Sequence, residues 1–435
     1  MPKHRFWPSI HVLAALLVMQ LPVSTAAAQS LLHTPEFLDS LTSPDVLKLS
    51  GQLRERATYL SAIVYDGDDE TRGWFWTQRA RVDANVNAAD WLRGKVSLQS
   101  ALQQGGDVSP IERNDLDIQE AFIDFGPKQS FVRIGRQELL LGSQRLVGTR
   151  EGTNVRRTWD GVRGSVLWGD WQLDALALRE VAVRVDGVFN DGRNEGRDLA
   201  GLYTTGPFAV GNIDIYYLWA DFAGRQTIEG SGDESRHSVG ARWFGEAGGL
   251  FWNWEAIYQF GSLDNVDINA WTFAANTGYR WADVPWSPEV MLSTNIASGD
   301  HETGDGTLGT FNALYPRGSY FSENALLGPA NFFNVHPYLR VRPREDVLAF
   351  VDVNFFWRLQ TTDGVYGPAG NLIRLPSGSD SRFVDMSVSA GAEWEATKTM
   401  FLSVLFTHSA PQAFIEQTGS ADNVNFLEFT LKFIF

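Results

Sequence analysis

The chain has 435 residues, a formal net charge of −16 and no cysteine. The charge argues against nucleic acid as a partner, and the absence of cysteine rules out a disulfide framework and a thiol nucleophile. Aromatic residues make up 13 % and charged residues 20 % at a mean hydropathy of −0.18, the balance expected when strands carry one apolar and one polar face.

Residues 1–28 read as a secretory signal. Lys3, His4 and Arg5 give a basic start, Ile10 to Val23 is apolar, and Ala26-Ala27-Ala28 is a small-residue cleavage site, placing the mature start at Gln29. The apolar stretch is shorter than the ~20 residues a spanning helix needs, and no later run is long enough either. Residues 29–46 form a lead-in, and 47–435 one unit.

From residue 47 onward, segments alternate apolar and polar side chains with the period of a strand that has two different faces. Arg54 and Arg56 share a face with Lys48, Ser50 and Gln52, opposite Leu49 and Leu53. In Trp74–Val86, Arg79 and Arg81 oppose Trp76, Ala80 and Val82, and next along the chain Arg93 and Lys95 oppose Leu92 and Val96. Leu250–Gly261 sets Trp252, Trp254, Tyr258 and Phe260 against Asn253, Glu255 and Gln259; Arg340 and Arg342 oppose Leu339 and Val341; Asp346–Arg358 sets Val347, Val351 and Phe355 against Asp352, Asn354 and Arg358. The chain ends on the clearest case, Asn425–Phe435, with Leu427, Phe429, Leu431, Phe433 and Phe435 on one face and Glu428, Thr430 and Lys432 on the other.

Short turns, such as Trp168-Gly169-Asp170, alternate with long connections at Tyr65–Gly73, Ser298–Pro329, Gln360–Ser381 and Ser409–Asp422. The pattern predicts an all-β fold, a transmembrane antiparallel β-barrel of 16 to 18 strands with 18 favoured, long extracellular loops and short periplasmic turns, in the bacterial outer membrane. A soluble propeller or sandwich is the rival, but no internal period of the propeller kind is present.

Signatures of catalysis are absent: there is no H-E-x-x-H, G-x-S-x-G or P-loop motif, and no cofactor is expected. Gly304–Gly309 matches G-x-G-x-x-G only in letters, lying in an acidic loop rather than between a strand and a helix. Asp300, Glu302 and Asp305 are the one candidate calcium set, and their spacing misses the EF-hand pattern; a solvated loop and no metal is the expectation. The arginines carry more information, since only six of the 36 basic residues are lysine. An arginine turned to lipid costs ~2–4 kcal/mol near the midplane, so the arginine pairs are expected to line the lumen, bracing the wall or selecting anions.

Three blocks then point to a family. Arg133-Ile134-Gly135-Arg136-Gln137-Glu138-Leu139, Gly142-Ser143-Gln144-Arg145-Leu146-Val147-Gly148 and Asn154–Arg163, together with Ala297-Ser298-Gly299-Asp300 and Leu314-Tyr315-Pro316, resemble the alginate-export family of outer-membrane barrels. That resemblance implies an 18-stranded monomer with an arginine-rich lumen through which a polyuronate leaves. By motif it also implies that Arg136, Arg145, Arg157, Asp160 and Arg163 line the pore, with Asp160 orienting Arg157 and Arg163. Arg156, and Arg317-Gly318-Ser319 after the Tyr-Pro, depart from the pattern.

The expected function is an outer-membrane channel for anionic solutes, an alginate-like polysaccharide exporter, with a substrate-specific uptake porin for small acids or sugars as the alternative. The expected pore-lining residues are Arg54, Arg56, Arg79, Arg81, Arg93, Lys95, Arg136, Arg145, Arg157, Asp160, Arg163, Arg340 and Arg342. Expected partners are outer-membrane lipid and lipopolysaccharide, an anionic polysaccharide or small carboxylated solute, and periplasmic export proteins.

Overall fold

A closed wall of eighteen antiparallel strands surrounds a lumen that the chain's own loops partly fill. The computed structural model describes residues 46–435, so the expected signal peptide and all but the last residue of the lead-in lie outside the described residues. The strands of the wall are Leu47–Leu60 (β1), Gly73–Ala89 (β2), Leu92–Gln104 (β3), Asn114–Phe125 (β4), Phe131–Gln137 (β5), Trp159–Trp168 (β6), Trp171–Ala182 (β7), Gly192–Pro207 (β8), Asn212–Thr227 (β9), Gly230–Ala247 (β10), Leu250–Leu263 (β11), Val266–Arg280 (β12), Glu289–Ala297 (β13), Phe332–Arg344 (β15), Val347–Arg358 (β16), Phe383–Trp394 (β19), Met400–Pro411 (β20) and Val424–Ile434 (β21). Three short strands belong to loops: Thr307–Leu308 (β14), which adds in parallel to β12, and Val365–Tyr366 (β17) with Leu372–Arg374 (β18).

Each strand pairs with its sequence neighbour in the wall, and β21 closes on β1 in the register Gln52↔Ile434 to Leu60↔Phe426. Phe435 extends the seam, its carbonyl accepting from the Gly51 N–H at 2.8 Å. Closure leaves no row of unpaired backbone groups, as hydrocarbon requires. Alternation sorts the side chains. In β2, Thr77, Arg79 and Arg81 are buried inward while Val82 is 51 % exposed outward; in β16, Asp352, Asn354, Phe356 and Arg358 are buried while Val351 is exposed. Trp252 is buried despite its outward position, because Trp243 covers it at 5.1 Å.

Where β1 begins and β21 ends, the connections are short, at 90–91, 126–130, 169–170, 208–211, 248–249, 281–288, 345–346 and 395–399. At the opposite end they include 61–72, 105–113, 138–158, 183–191, 298–331, 359–382 and 412–423, the last holding the one-and-a-half-turn helix Ala413–Thr418 (α1). The expectations named four of these long connections but not 138–158. Segments of 138–158, 298–331 and α1 turn inward and pack an apolar core inside the loop half of the lumen, from Leu139, Leu146 and Val147 to Phe311, Tyr315, Phe321, Phe414 and Ile415.

Candidate functional site: the loop roof and the lumen wall

The segment 138–158 reaches β1 and β2 through polar anchors rather than apolar contact. Asn154 is fully buried, and its side-chain amide donates to the carbonyls of Gln78, Leu102 and Glu112 at 2.9, 3.1 and 3.0 Å. Arg54 holds the same loop, donating to the Glu151 and Thr153 carbonyls at 3.0 and 2.9 Å and to Asn154 Oδ1 at 3.2 Å. Glu151 pairs with the fully buried Arg79 and, at 3.0 Å, with Arg156. Arg56 donates to the Gly152 carbonyl and lies 3.2 Å from Glu428. A second loop is stitched to the first: Tyr315 N–H donates to the Leu146 carbonyl at 2.8 Å, and Gly148 N–H to the Tyr315 carbonyl at 2.9 Å. Together they roof the lumen.

Along the wall from β2 to β7 and the segment 138–158 that joins it, inward cations meet carboxylates on the same strand, on neighbouring strands and on the loop. Arg81 is the hub, at 2.9 Å from Asp83, 2.6 Å from Glu120 and 2.7 Å from Glu138. Lys95 pairs with Glu120 and lies 3.5 Å from Asp83; Arg93 is 3.7 Å from Asp124, which Arg133 grips with both fork nitrogens at 2.7 and 2.9 Å. Arg163 meets Asp174, and Arg157 meets Glu180, both at 2.9 Å. Arg145, from the roof, meets Glu255 at 2.7 Å. The wall from β13 to β20 is different: Asn295, Asn334, Asn354, Ser387, Ser389 and Thr407 present amides and hydroxyls. Glu289, Asp352, Arg358 and Asp385 face inward on the same stretch, so charge is sparser there than from β2 to β7 rather than absent.

Beneath the roof lies a cavity of about 810 Å³. Its basic lining, Arg54, Arg56, Arg145, Arg317, Arg340 and Lys432, is matched by Glu151, Glu323, Asp352, Glu393, Glu395 and Glu428. Of the two roles expected for the arginines, bracing the wall and selecting anions, the geometry shows the first at most positions, because almost every arginine brings its own carboxylate. Arg317 and Arg340 are the loosely held ones, 3.9 Å from Glu323 and 3.4 Å from Glu289, with nearly half of each side chain exposed.

Three expected residues fall elsewhere. Arg136 and Asp160 pair with each other at 2.9 Å and sit opposite one another in the β5–β6 register. Alternation puts them on the face of Ile134 and Val162, which are 50 % and 40 % exposed on the outer surface, so they brace the outside of the wall instead of the lumen. Asp160 does not orient Arg157 or Arg163, which have Glu180 and Asp174. The glycines of these motifs have a structural reason: Gly135 and Gly161 face each other at φ +130° and +152°, and a Cβ on either would lie 2.2 Å from a neighbouring carbonyl oxygen. Arg342 is exposed at the rim, past the point where β15 pairing slips, and does not line the cavity. Arg156, the added cation that departs from the family pattern, meets Glu138 at 2.6 Å and Glu151 at 3.0 Å. Arg236 and Arg242 were missed; they alternate inward with Ser238 against Val239 and Trp243, a readable signal in β10.

The acidic loop is not solvated at its start. Asp300 is 2 % exposed, its carboxylate accepting from Gly309 N–H at 3.1 Å and its own N–H donating to Asp363 at 2.8 Å. Among the described residues no group of three or more acidic, His or Cys side chains is placed to hold a metal ion. Burial first, then the neighbouring carboxyl of Glu229 and the charge of Asp363, push the Asp300 carboxyl up to about 7. Because that value exceeds its ordinary one near 3.8, the loop packing it supports is complete in acid and is lost as the pH rises through about 7. Channel opening is expected to increase between pH 5 and 8 in bilayer recordings, and Asp300→Asn should flatten the profile; an unchanged profile in that variant would refute the assignment.

The sequence pattern of the alginate export family matches residues 45–423. No curated protein matches the chain. Solved structures of similar fold include Acinetobacter baumannii OccAB2, at 11 % identity and TM-score 0.61 over 89 % of this chain and 98 % of that one. Pseudomonas aeruginosa OccD3 (OpdP) has 12 % identity and TM-score 0.61 over 91 % and 93 %. Pseudomonas aeruginosa OccK2 (OpdF), in complex with glucuronate, has 11 % identity and TM-score 0.60 over 89 % and 97 %. At such identities the likeness is one of fold, that of outer-membrane porins, whereas the family pattern spans the barrel from before β1 to the start of β21, and the chain belongs to the alginate export family.

Proposed function

We propose that the chain is an outer-membrane channel that passes carboxylate-bearing saccharides without chemical conversion, its short turns facing the periplasm and its long loops the outside. The observation that carries this reading is the convergence of Arg54, Arg56, Arg145, Arg317 and Arg340 on one cavity under the roof. Guanidinium forks recognise carboxylates in bidentate fashion, and the amides and hydroxyls between β13 and β20 suit sugar hydroxyls. Ion pairing lowers the field of these arginines but leaves donor N–H groups fixed in place, so a passing carboxylate exchanges with a resident one.

Membership of the family supports an alginate-like polymer leaving the cell. A second reading, uptake of small acids or sugars, is supported by the packed roof and by the limited cavity of about 810 Å³ beneath it. Reconstitution in planar bilayers tests the common core. Anion preference in a potassium chloride gradient, and current blockade by glucuronate but not by glucose, are expected; cation preference or a silent membrane would overturn the proposal. Blockade by short uronate oligomers that lengthens with chain length favours the polymer.

A further inference from the structure

The balanced cavity raises the question of where a positive surplus resides. It lies on the loop side of the roof. Phe222 and Tyr315 stack at 5.2 Å inside the lumen, and three guanidinium groups surround them: Arg197 at 5.0 Å and Arg225 at 5.7 Å from the Phe222 ring, and Arg157 at 5.2 Å from the Tyr315 ring.

The pairing there is incomplete. Arg157 has Glu180. Arg225 donates to the Gly370 carbonyl at 3.3 Å and approaches Glu234 Oε2 only to 3.7 Å, while Arg236 takes Oε1 at 2.7 Å; among the described residues the Arg225 Nε has no hydrogen-bond partner. Arg197, half-buried in β8, has no ion-pair partner among the described residues; its neighbour Asp198 points the other way, to Arg179 at 2.6 Å. The Tyr315 hydroxyl, on a residue 2 % exposed, has no hydrogen-bond partner among the described residues. Its ring is clamped by Trp159 at 4.5 Å, so the hydroxyl cannot swing to another acceptor. A buried unpaired hydroxyl and a buried unpaired guanidinium nitrogen, that of Arg225, are costly unless something fills the place.

We propose that Arg157, Arg197, Arg225 and the Tyr315 hydroxyl form an anion-binding station on the loop side of the roof that takes one carboxylate of the solute. This rests on the reading above, of a lumen that passes carboxylates, and gives it a second stop. Phe222 supplies an apolar floor, the guanidinium groups supply donors, and the hydroxyl donates a further hydrogen bond. A carboxylate handed from here to Arg54 and Arg145 moves between two basic stops separated by the roof, as conduction through a multi-site filter needs.

The test uses the full mature chain in detergent, titrated calorimetrically with glucuronate and with glucose, and the same protein in bilayers. Arg197→Gln is expected to weaken glucuronate binding about tenfold, the loss of one charge-assisted pair, and to lower the anion-to-cation permeability ratio. Arg197→Lys should retain most of both, and Tyr315→Phe, which keeps the ring packing, should weaken binding by a smaller factor. Glucuronate binding at the parent level in both Arg197→Gln and Tyr315→Phe would mean that ordered water fills the place, and would overturn the station. Loss of the heat-stable barrel in Arg197→Lys as well as Arg197→Gln would make the arginine structural and overturn it too. A parent protein that binds glucuronate through Arg197 yet conducts no anions leaves the station standing and defeats the channel reading instead.

Discussion

Replacing Glu151 by Gln is expected to open the roof. Arg79 is fully buried in the lumen and Glu151 is its ion-pair partner; Arg54, at 3.9 Å, and Arg156, at 3.0 Å, share the same carboxylate. Removing one partner of a buried pair costs ~3–5 kcal/mol when both are dry. Glu151 is about half exposed, at 53 %, so water screens part of this and ~1–3 kcal/mol is the appropriate range. Each ~1.4 kcal/mol is tenfold in an equilibrium, so the open state should gain roughly ten- to a hundredfold in population. Asn154→Ala should act in the same direction, since it frees the Gln78, Leu102 and Glu112 carbonyls at once. The two anchors serve one loop, so the double variant should fall short of the sum. Single-channel recordings read the outcome as longer and more frequent openings. A mean current equal to that of the parent in both variants would show that segment 138–158 is not the barrier.

The wall was legible in the sequence because hydrocarbon and water impose opposite demands on adjacent residues, and a period of two survives in any strand that feels both. Arg79 and Arg81 inward, Val82 outward, and the seam strand ending at Phe435 all follow from that single constraint. The interior was less legible. Nothing in the local pattern around Arg54 says that its partners lie about a hundred residues away on the loop that holds Glu151, Thr153 and Asn154, because loop placement depends on contacts across the lumen and not on any period. The arginine skew was visible, but the carboxylates that absorb it are single residues spread over many strands, such as Glu120, Glu180 and Glu255, so the surplus was overestimated. Arg136 and Asp160 show a different failure. Their motif resemblance suggested the pore, while the parity with Ile134 and Val162, present in the same letters, points outward.

Arg81 should be the most consequential single residue for the stability of the wall. It ties β2 to β4 and to the start of segment 138–158 through Glu120 and Glu138, whose side chains are 6 % and 13 % exposed. Arg81→Gln leaves three carboxylates crowded in the lumen with Lys95 and Arg156 as the remaining cations. Those two cations blunt the damage, so the low end of the ~3–5 kcal/mol range for breaking a buried pair applies. The expected result is a fall of several degrees in the temperature at which the unboiled protein loses its compact migration on a gel. If the cause is uncompensated negative charge, converting Glu120 and Glu138 to Gln in the Arg81→Gln background should restore most of the loss, because neutral amides hydrogen-bond to each other without repulsion. If the cause is instead the lost packing of the arginine stem, the triple variant should melt no higher than the single one. The comparison thus separates charge from shape at the same three positions, and only the first outcome is consistent with an ion-paired ladder that holds the wall of the lumen.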